Sequence, residues 1–278
     1  MTATRNIDTV IPPVIPPIAP AKTDWRRGLP ASSAFGWLAA GWRDLLRYPG
    51  LSLVYGLLVS LVSFLVVGGL YRFGYDYILF PALSGFLVVA PVAAVGLYEK
   101  SRRLAAGREV ALADMVFVKA RSGGQVVFVG LLLCLLLLLW MRAAVLIYAL
   151  FFGLRPFPGL DGILPMLLHT TVGWTLLIVG SLVGGLFAAF SFSISVFAIP
   201  RLLDERTDAL TAMGKSMAIV WNNLPVMLVW AAIVVFLFAL SVAAGLIGLI
   251  VVFPLLGHAT WHAFLAICGS SAEADGGA

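Results

Sequence analysis

Two histidines spaced four residues apart, His258 and His262, have the type and spacing that best suit metal or haem ligation in this chain. In a helix, residues i and i+4 project from one face about one turn apart. A pair on a single helix nevertheless leaves a metal under-coordinated, and their segment supplies no third histidine, cysteine cluster or carboxylate at ligand spacing. We therefore expect both imidazoles to form hydrogen bonds, and we expect no cofactor.

An acidic residue, Glu99, lies at the end of a long apolar run and is followed within four positions by three basic residues. Cations this close can keep an acid ionised at a membrane boundary, where it could serve as a gate or a proton site. The alternative is a cap for a helix bundle, in which Glu99 pairs with a base of another connection such as Arg201. We favour the cap, and we interpret Asp204 and Glu205 in the same way.

Three serines at alternate positions, Ser191, Ser193 and Ser195, interrupt another apolar run and follow a glycine-rich stretch. Small and hydroxylated residues let helices approach closely and form hydrogen bonds across the contact. We expect these serines to pack between helices, with the lining of a polar pathway as the alternative. The chain has no Gly-x-Ser-x-Gly, complete Walker or His-Glu-x-x-His motif, so we expect a protein that is not an enzyme.

Membrane-spanning helices must position these residues. The stretch from Leu224 to Cys268 contains no Asp, Glu, Lys or Arg, whereas one span needs only about 20 apolar residues. It therefore holds two crossings, with a turn near Gly245. Over the whole chain, 62% of the residues are hydrophobic, 11% are charged and the mean hydropathy is +1.04. This composition predicts an all-α fold, a polytopic bundle of membrane helices.

The uncharged runs predict about six transmembrane helices. The predicted spans cover residues 49–71, 77–98, 125–141 with an extension toward 152, 172–199, and two that divide 224–268, with a short interfacial helix at 165–169. Six Lys and Arg residues precede the first span, and the successive connections carry one, six, two, three and none. By the positive-inside rule, both termini are then cytoplasmic.

Amphipathic segments precede three of the spans on the predicted cytoplasmic side. Each suits a helix that lies in the plane of the lipid headgroups. The apolar stripe of the first is Phe35, Leu38, Trp42, Leu45 and Leu46, and that of the third is Leu210, Met213, Met217, Val220 and Trp221. The middle segment, 112–120, is less regular. Interfacial helix, span, turn and span thus recur in three units, 33–100, 109–200 and 207–268.

Aromatic and basic residues near the span ends indicate the partners. We expect Trp42, Trp221 and Trp261 to be interfacial anchors, because indole rings favour the headgroup region. The net charge is +5, and basic residues beside spans favour anionic lipid headgroups over nucleic acid. A membrane-protein partner or a homo-oligomer is also compatible with the sequence.

The predicted transmembrane domain, 33–268, is flanked by two tails that we expect to be disordered. The N-terminal tail, 1–32, is proline-rich between Val10 and Pro20, and these prolines exclude the helical core of a signal peptide. The C-terminal tail is 269–278. Cys134 and Cys268 lie in separate apolar segments, so we interpret both as small apolar side chains rather than as a disulfide.

Three stretches of the chain carry a family resemblance. They are Ala90-Pro-Val-Ala-Ala-Val-Gly-Leu-Tyr-Glu-Lys-Ser-Arg, Phe197-Ala-Ile-Pro-Arg-Leu-Leu-Asp-Glu and Pro254-Leu-Leu-Gly-His-Ala-Thr-Trp-His. Together they resemble the DUF2189 family of predicted bacterial integral membrane proteins, over about residues 35–268. The resemblance implies a multi-pass protein of the bacterial inner membrane and implies no biochemical activity.

Three functions are compatible with these patterns. The first is a non-enzymatic scaffold, assembly or envelope-homeostasis factor whose interfacial helices and basic rim bind lipid or partner proteins. The second is a small transporter or channel with a pathway among spans two, four and six. The third is an accessory subunit of a respiratory membrane complex, with His258 and His262 near a redox centre. We favour the first, because the apolar runs contain almost no charge for coupling transport.

Overall fold

The computed structural model describes residues 25–153 and 157–275. These residues form twelve α-helices and one 3-10 helix, with no strand among them. The helices are α1 (Ser33–Leu46), α2 (Pro49–Arg72), the 3-10 helix (Asp76–Ile78), α3 (Leu79–Ala93), α4 (Val95–Ala105), α5 (Leu112–Val116), α6 (Gly123–Phe152), α7 (Gly159–His169), α8 (Thr171–Ser195), α9 (Ala198–Asp204), α10 (Ala209–Asn222), α11 (Leu224–Ala243) and α12 (Leu249–Asp275). The predicted all-α fold is confirmed.

Six helical segments of the described residues are long and apolar enough to cross a membrane. Numbered in chain order as spans one to six, they are Pro49–Arg72, Asp76–Ala105, Gly123–Phe152, Thr171–Asp204, Leu224–Ala243 and Leu249–Gly269. The predicted number of spans is therefore confirmed. The chain is an integral membrane protein, because each of these segments exceeds the roughly 20 residues that a bilayer core requires or equals it.

Prolines divide spans two and four into two helices each. In span two, Pro91 lies inside α3, and α4 begins four residues later at Val95. In span four, Pro200 lies in the first turn of α9, directly after the break that follows Ser195. Proline has no backbone N–H for the helical ladder and its ring crowds the preceding turn, so both breaks have a local cause.

Helix α12 is the central helix of the bundle and packs against α1, α2 and α4. Its span is 56% buried, against 11% for span one, although its mean hydropathy of 1.7 is the lowest of the six. Polar side chains are tolerated in a membrane helix when protein rather than lipid surrounds them. Burial therefore explains how span six carries two histidines.

One face of helix α1 packs against the bundle, and the opposite face is exposed. Its buried residues are Ala34, Trp37, Gly41, Asp44 and Leu45. Phe35, Trp42 and Leu46 are exposed. Leu45, predicted to belong to the outward apolar stripe, instead lies in the protein core, because the stripe spans a wider arc than the exposed face.

Helix α10 repeats this division between buried and exposed positions. It buries Ala209, Ala212, Ser216, Ile219 and Val220. It exposes Leu210, Met217 and Trp221, which have the same spacing as the exposed apolar residues of α1. The middle amphipathic segment forms only the five-residue helix α5. The recurrence of three units stays a prediction.

The described residues before α1 form hydrogen bonds with Asn223, between α10 and α11, and with α12. The Arg27 backbone N–H donates to Asn223 Oδ1 at 2.9 Å, and the Asn223 amide donates to the Trp25 carbonyl at 2.8 Å. Arg27 Nε also donates to the Ile267 carbonyl at 2.8 Å. Residues 1–24, with the proline-rich run, lie outside the described residues. At the other terminus, α12 continues to Asp275.

Candidate functional site

Six polar side chains from four helices form a hydrogen-bonded chain that we call the polar network. Its members are Asp44 from α1, Ser52 from α2, Lys100 and Ser101 from α4, and His258 and His262 from α12. Ser52 Oγ lies 2.6 Å from Lys100 Nζ and 2.9 Å from His258 Nε2. Ser101 Oγ lies 2.8 Å from His258 Nδ1. His262 Nε2 lies 2.8 Å from Asp44 Oδ2.

The charged groups at the two ends of the polar network are the Lys100 ammonium and the Asp44 carboxylate. They determine which group donates each hydrogen bond. An ammonium group only donates and a carboxylate only accepts. Lys100 therefore donates to Ser52, and the Ser52 hydroxyl donates to His258 Nε2. The remaining His258 proton, on Nδ1, points to Ser101. The Ser101 hydroxyl is then left to interact with the Asp44 carboxylate, whose pKa it helps to lower.

This arrangement separates one positive and one negative charge by three neutral side chains. Lys100 is fully buried, and Asp44 is 8% exposed. Buried charges are tolerated when hydrogen bonds and an opposite charge compensate them. Ser52, His258 and Ser101 provide the hydrogen bonds between the two charges, so the network is balanced within the protein.

Asp44, which lies outside the spans, is ionised at neutral pH. Burial raises the pKa of its carboxyl, but hydrogen bonds from His262 and Ser101 act in the opposite direction, and the net pKa lies below the usual value of 3.8. Donors that bind the charged form stabilise the carboxylate. The same carboxylate joins α1 to α12 and to α4.

A close helix contact brings Asp44 to His262. At Gly41, a Cβ atom would lie 2.6 Å from the backbone nitrogen of Ala259, so only glycine permits this approach of α1 to α12. Asp44 follows Gly41 by three residues, and His262 follows Ala259 by three residues. Near this contact the Asp44 carboxylate and the His262 imidazole meet at 2.8 Å.

Ser52 has the geometry of an activated nucleophile, since both a lysine amine and an imidazole lie within hydrogen-bond distance of its hydroxyl. Such pairs activate serine in hydrolases when the substrate can reach the oxygen. Ser52 is fully buried, however, and lines none of the clefts described below. Its hydrogen bonds connect α2 with α4 and α12.

The histidine pair is therefore divided between two environments. His258 is fully buried, and both of its ring nitrogens are occupied by serine hydroxyls. His262 is partly exposed and pairs with Asp44. No three His, Cys, Asp or Glu side chains of the described residues are grouped so that they could hold a metal ion.

Glu99 forms ion pairs within its own helix rather than with Arg201. Its carboxylate oxygens lie 2.7 Å from Arg102 Nη2 and 2.8 Å from Arg103 Nε. Arg103 also reaches Asp114 of α5 at 2.8 Å. The buried Glu99 thus orients Arg102 and Arg103 within α4, and Arg103 in turn holds α5 against this helix. The expected pairing of Glu99 with Arg201 is wrong, because the two nearest cations belong to the next turn of α4.

Asp204 and Glu205 take part in the same group of charges at this end of the bundle. Glu205 accepts from Arg201 Nη1 at 2.9 Å. Asp204 lies 3.8 Å from Arg102 Nη1, which links span four to span two. These contacts agree with a cap that holds helix ends together.

The three serines of span four bond to their own helix. Ser191 donates to the carbonyl of Ala188 at 3.0 Å, Ser193 to that of Ala189 at 2.7 Å, and Ser195 to that of Ser191 at 2.6 Å. Ser191 and Ser195 are buried. A hydroxyl that donates to a carbonyl of the preceding turn can pack closely against a neighbouring helix. Such a hydroxyl is then less available to line a polar pathway.

The three tryptophans expected at the interface have different environments. Trp42 and Trp221 are 45% and 74% exposed, as an anchor requires. Trp261 is only 2% exposed and packs against Phe264. The interpretation of Trp261 as an interfacial anchor therefore needs correction, because its ring is enclosed by α12 and its neighbours rather than turned toward lipid.

Three of the clefts lined by the described residues bear on function. The central cleft, about 390 Å³, lies among spans two, four, five and six and is lined by side chains such as Ala90, Ala188, Ala231 and Leu256. The lateral cleft, about 680 Å³, follows span one and includes Tyr55, Val59, Val62 and Val66. The basic cleft, about 420 Å³, is lined by Arg47, Tyr48, Leu104, Gly107, Arg108 and Glu109. Of these three, only the basic cleft has charged side chains in its lining.

The family comparison agrees with the helical bundle. Residues 79–204 match the DUF2189 family. The family is described as a predicted integral membrane protein, and the matched segment holds spans two to four with Glu99, Lys100 and Ser101. The resemblance is thus confirmed over this segment, which is shorter than the expected 35–268. Comparison with curated proteins and with solved structures found no match.

Sequence analysis singled out the histidines but missed their partners. Asp44 carried a detectable signal, because it occupies the same helix face as Ala34, Trp37 and Gly41, where an apolar residue is the usual choice. Lys100 and Ser101 carried none, since both lie in a charged stretch that is typical of a solvent-exposed rim. Ser52 resembled any other small residue of a span.

Proposed function

We propose that the protein is a non-enzymatic scaffold, assembly or envelope-homeostasis factor that acts by binding lipid and partner proteins within its membrane. The observation that supports this proposal is the contrast between its polar and apolar groups. The polar network is largely buried and its charges are balanced, whereas the central and lateral clefts are lined mainly by apolar side chains. An apolar cleft in a bilayer favours an acyl chain or an apolar helix over a hydrated solute.

The outward faces of α1 and α10 support the same proposal. Trp42 and Trp221 are exposed on these helices, each four residues from another exposed apolar side chain, Leu46 and Met217 respectively. Exposed indole rings next to aliphatic residues suit the boundary between headgroups and acyl chains. Two helices that present such faces would hold the bundle at a defined depth and offer a surface for other membrane proteins.

Purification of the full chain in polymer nanodiscs, which retain native lipid, tests the proposal. Native mass spectrometry should then find retained lipid or a stoichiometric partner. Ala188→Trp fills the central cleft and should reduce that retention. Leu186→Trp places the same ring on an exposed position of α8 outside the cleft and is the matched control. A wild-type protein that carries neither lipid nor partner would contradict the proposal.

A small transporter is the second candidate, because the central cleft lies among spans two, four and six, where a pathway was expected, together with span five. Ser193 and Gly185 contribute to its lining. The histidine pair belongs to the polar network instead. Flux of ions or small solutes through proteoliposomes that contain the pure protein, reduced by Ala188→Trp and unchanged by Leu186→Trp, would favour this function over the first.

A further inference from the structure

Two arginines without an ion-pair partner among the described residues line the basic cleft. Arg47 follows α1, and Arg108 lies in the connection between α4 and α5. The lining also contains Glu109, so the two guanidinium groups leave the cleft with a net positive charge. Arginine binds phosphate groups in bidentate geometry, and two arginines across one cleft can hold a phosphate between them.

The wall of the basic cleft is held by the polar network. Tyr48 lies in the left-handed conformation, with φ of 56°, at the corner between α1 and α2. Its carbonyl accepts a hydrogen bond from the buried Lys100 Nζ at 3.2 Å. A residue other than glycine seldom adopts this backbone conformation unless its surroundings hold it there. Lys100 therefore positions the corner that carries Arg47, and its charge adds to the positive potential of the cleft.

The lining of the lateral cleft on α2 lies along the chain from Tyr48 of the basic cleft. Tyr55 follows Tyr48 by seven residues, which is two helical turns or about 10 Å. Val59, Val62 and Val66 then extend the lining deeper into span one. Residues i, i+4, i+7 and i+11 share one helix face. A charged cleft at the start of the span is therefore followed along span one by an apolar cleft within it.

Helix α5 gives a second connection between the two clefts. Arg108 and Glu109 line the basic cleft just before α5 begins. Met115 and Val116, at the end of α5, line the lateral cleft. The ion pair between Arg103 and Asp114 holds α5 against α4. The same short segment thus forms one wall of both clefts.

We propose that these two clefts form one binding site for an anionic phospholipid. Its phosphate lies between Arg47 and Arg108, and one acyl chain occupies the lateral cleft along span one. This inference deepens the lipid-binding part of the proposed function and rests on it. The volume of the lateral cleft, about 680 Å³, falls within the range of pockets that enclose small ligands. The direction from charged to apolar lining matches a lipid whose headgroup lies at the start of a span.

Native mass spectrometry of the full chain in detergent, titrated with phosphatidylglycerol or phosphatidylcholine, tests the site. The wild type should bind phosphatidylglycerol more tightly. Loss of both arginines in the Arg47→Gln, Arg108→Gln double variant should weaken that binding about tenfold or more and remove the preference. Arg72→Gln removes a charge from the other end of α2 and is the control that should bind normally. Thermal unfolding verifies that each variant is folded.

A second pair of variants separates a lipid from a free phosphate. Val62→Trp narrows the lateral cleft, whereas Leu61→Trp places the same ring at an exposed position of α2 outside the lining. Only Val62→Trp should weaken phosphatidylglycerol binding, and neither should change binding of inorganic phosphate. If inorganic phosphate binds as well as the lipid and Val62→Trp has no effect, the site is a soluble-anion site and the proposal is wrong.

The same titrations separate this inference from the proposed function. If the wild type retains lipid and the arginine and Val62 variants retain it equally, the lipid binds elsewhere, so this site is wrong while the proposed function stands. If the wild type shows no preference for the anionic lipid, the site is also wrong. A wild type that binds no lipid and no partner contradicts both.

Discussion

At the scale of single residues, the polar network combines two buried charges with neutral side chains that form hydrogen bonds between them. Lys100 donates to two oxygens, those of Ser52 and Tyr48. Asp44 accepts from His262 and lies at the other end. Each group removed from such a chain leaves its neighbour with an unmet hydrogen bond or charge, and these losses are costly because the interior offers no water to replace them.

Asp44→Asn should destabilise the protein strongly. The variant removes the negative charge that compensates buried Lys100, and it places an amide N–H among groups that already donate. We expect a loss of about 3 kcal/mol in the free energy of unfolding, the size seen when a buried charge loses its partner. Thermal unfolding in detergent measures it. Asp161→Asn, at an exposed position of α7, should change little, and a comparable loss there would contradict the explanation.

The pH dependence of stability provides a second measurement of Asp44. Its pKa is lower in the folded state than the value of about 3.9 in an unfolded chain. A lowered pKa contributes stability above the unfolded value, and this stability is lost as pH falls through the folded value. The wild type should therefore lose stability below about pH 4, while Asp44→Asn should show a smaller change over that range. Equal slopes would assign the acid sensitivity to other carboxylates.

His258→Gln should cost more than His262→Gln. Both ring nitrogens of the fully buried His258 bind serine hydroxyls, and a glutamine amide cannot reproduce both bonds at that spacing. We expect a loss of about 1–3 kcal/mol for His258→Gln and about 1 kcal/mol for the partly exposed His262. Unfolding midpoints of the two purified variants decide the order. Bound iron, copper or zinc in the wild type, lost in either variant, would instead indicate a ligand role.

At the scale of helices, close contacts at glycine determine how α12 is surrounded. Gly41 of α1 lies against the backbone of Ala259, and Gly56 of α2 lies against the backbone of Ile250. Gly257 of α12 lies against the Leu97 side chain. Small residues let membrane helices approach until backbones touch, which adds dispersion contacts and aligns polar groups. The polar network depends on these approaches, since its hydrogen bonds cross four helix interfaces, α1–α12, α2–α12, α2–α4 and α4–α12.

Gly41→Ala should separate α1 from α12. Its Cβ would lie 2.6 Å from a backbone nitrogen that cannot move aside, so the hydrogen bond from His262 to Asp44 should lengthen. Gly36→Ala adds the same methyl group to α1 where nothing lies within 4 Å. The first variant should unfold at lower temperature, and the second should equal or exceed the wild type because alanine favours helix. Equal unfolding temperatures would contradict the close contact.

Trp42→Glu and Trp221→Glu test the outward faces of α1 and α10. Each places a charge where we expect the headgroup boundary, at a cost of about 2–3 kcal/mol. Both should lower the folded yield in membranes. Arg43→Glu introduces the same side chain about 100° around α1 and should be tolerated better. Unchanged yields for both tryptophan variants would mean that these helices are solvated connectors.

At the scale of the whole molecule, six spans require both termini to lie on one side of the membrane. The alternation of Lys and Arg among the connections predicts that this side is cytoplasmic. Reporter fusions after Tyr71, after Gly159 and near Gly245 should be periplasmic. Fusions near Gly107 and Thr211 should be cytoplasmic. A periplasmic reporter at the C-terminus would contradict the predicted topology.

The positions of individual side chains show where sequence reasoning reached its limit. The start of span one at Pro49 and the turn near Gly245 were predicted from apolar length and turn residues alone. Trp261 was placed at an interface because tryptophan is common there, but it faces the bundle interior. One residue corresponds to about 100° of rotation around a helix. An apolar span gives little periodic pattern from which that rotation could be read.

The sequence by itself determined that this chain is an integral membrane protein with six helical spans, because span length, hydropathy and the absence of charge are properties of contiguous residues. Only the tertiary structure decided that Asp44, Lys100 and His258 belong to one network and that Arg47 and Arg108 line one cleft. These groups lie far apart in the chain. Their meeting depends on the rotation, depth and close approach of separate helices, which local sequence does not encode.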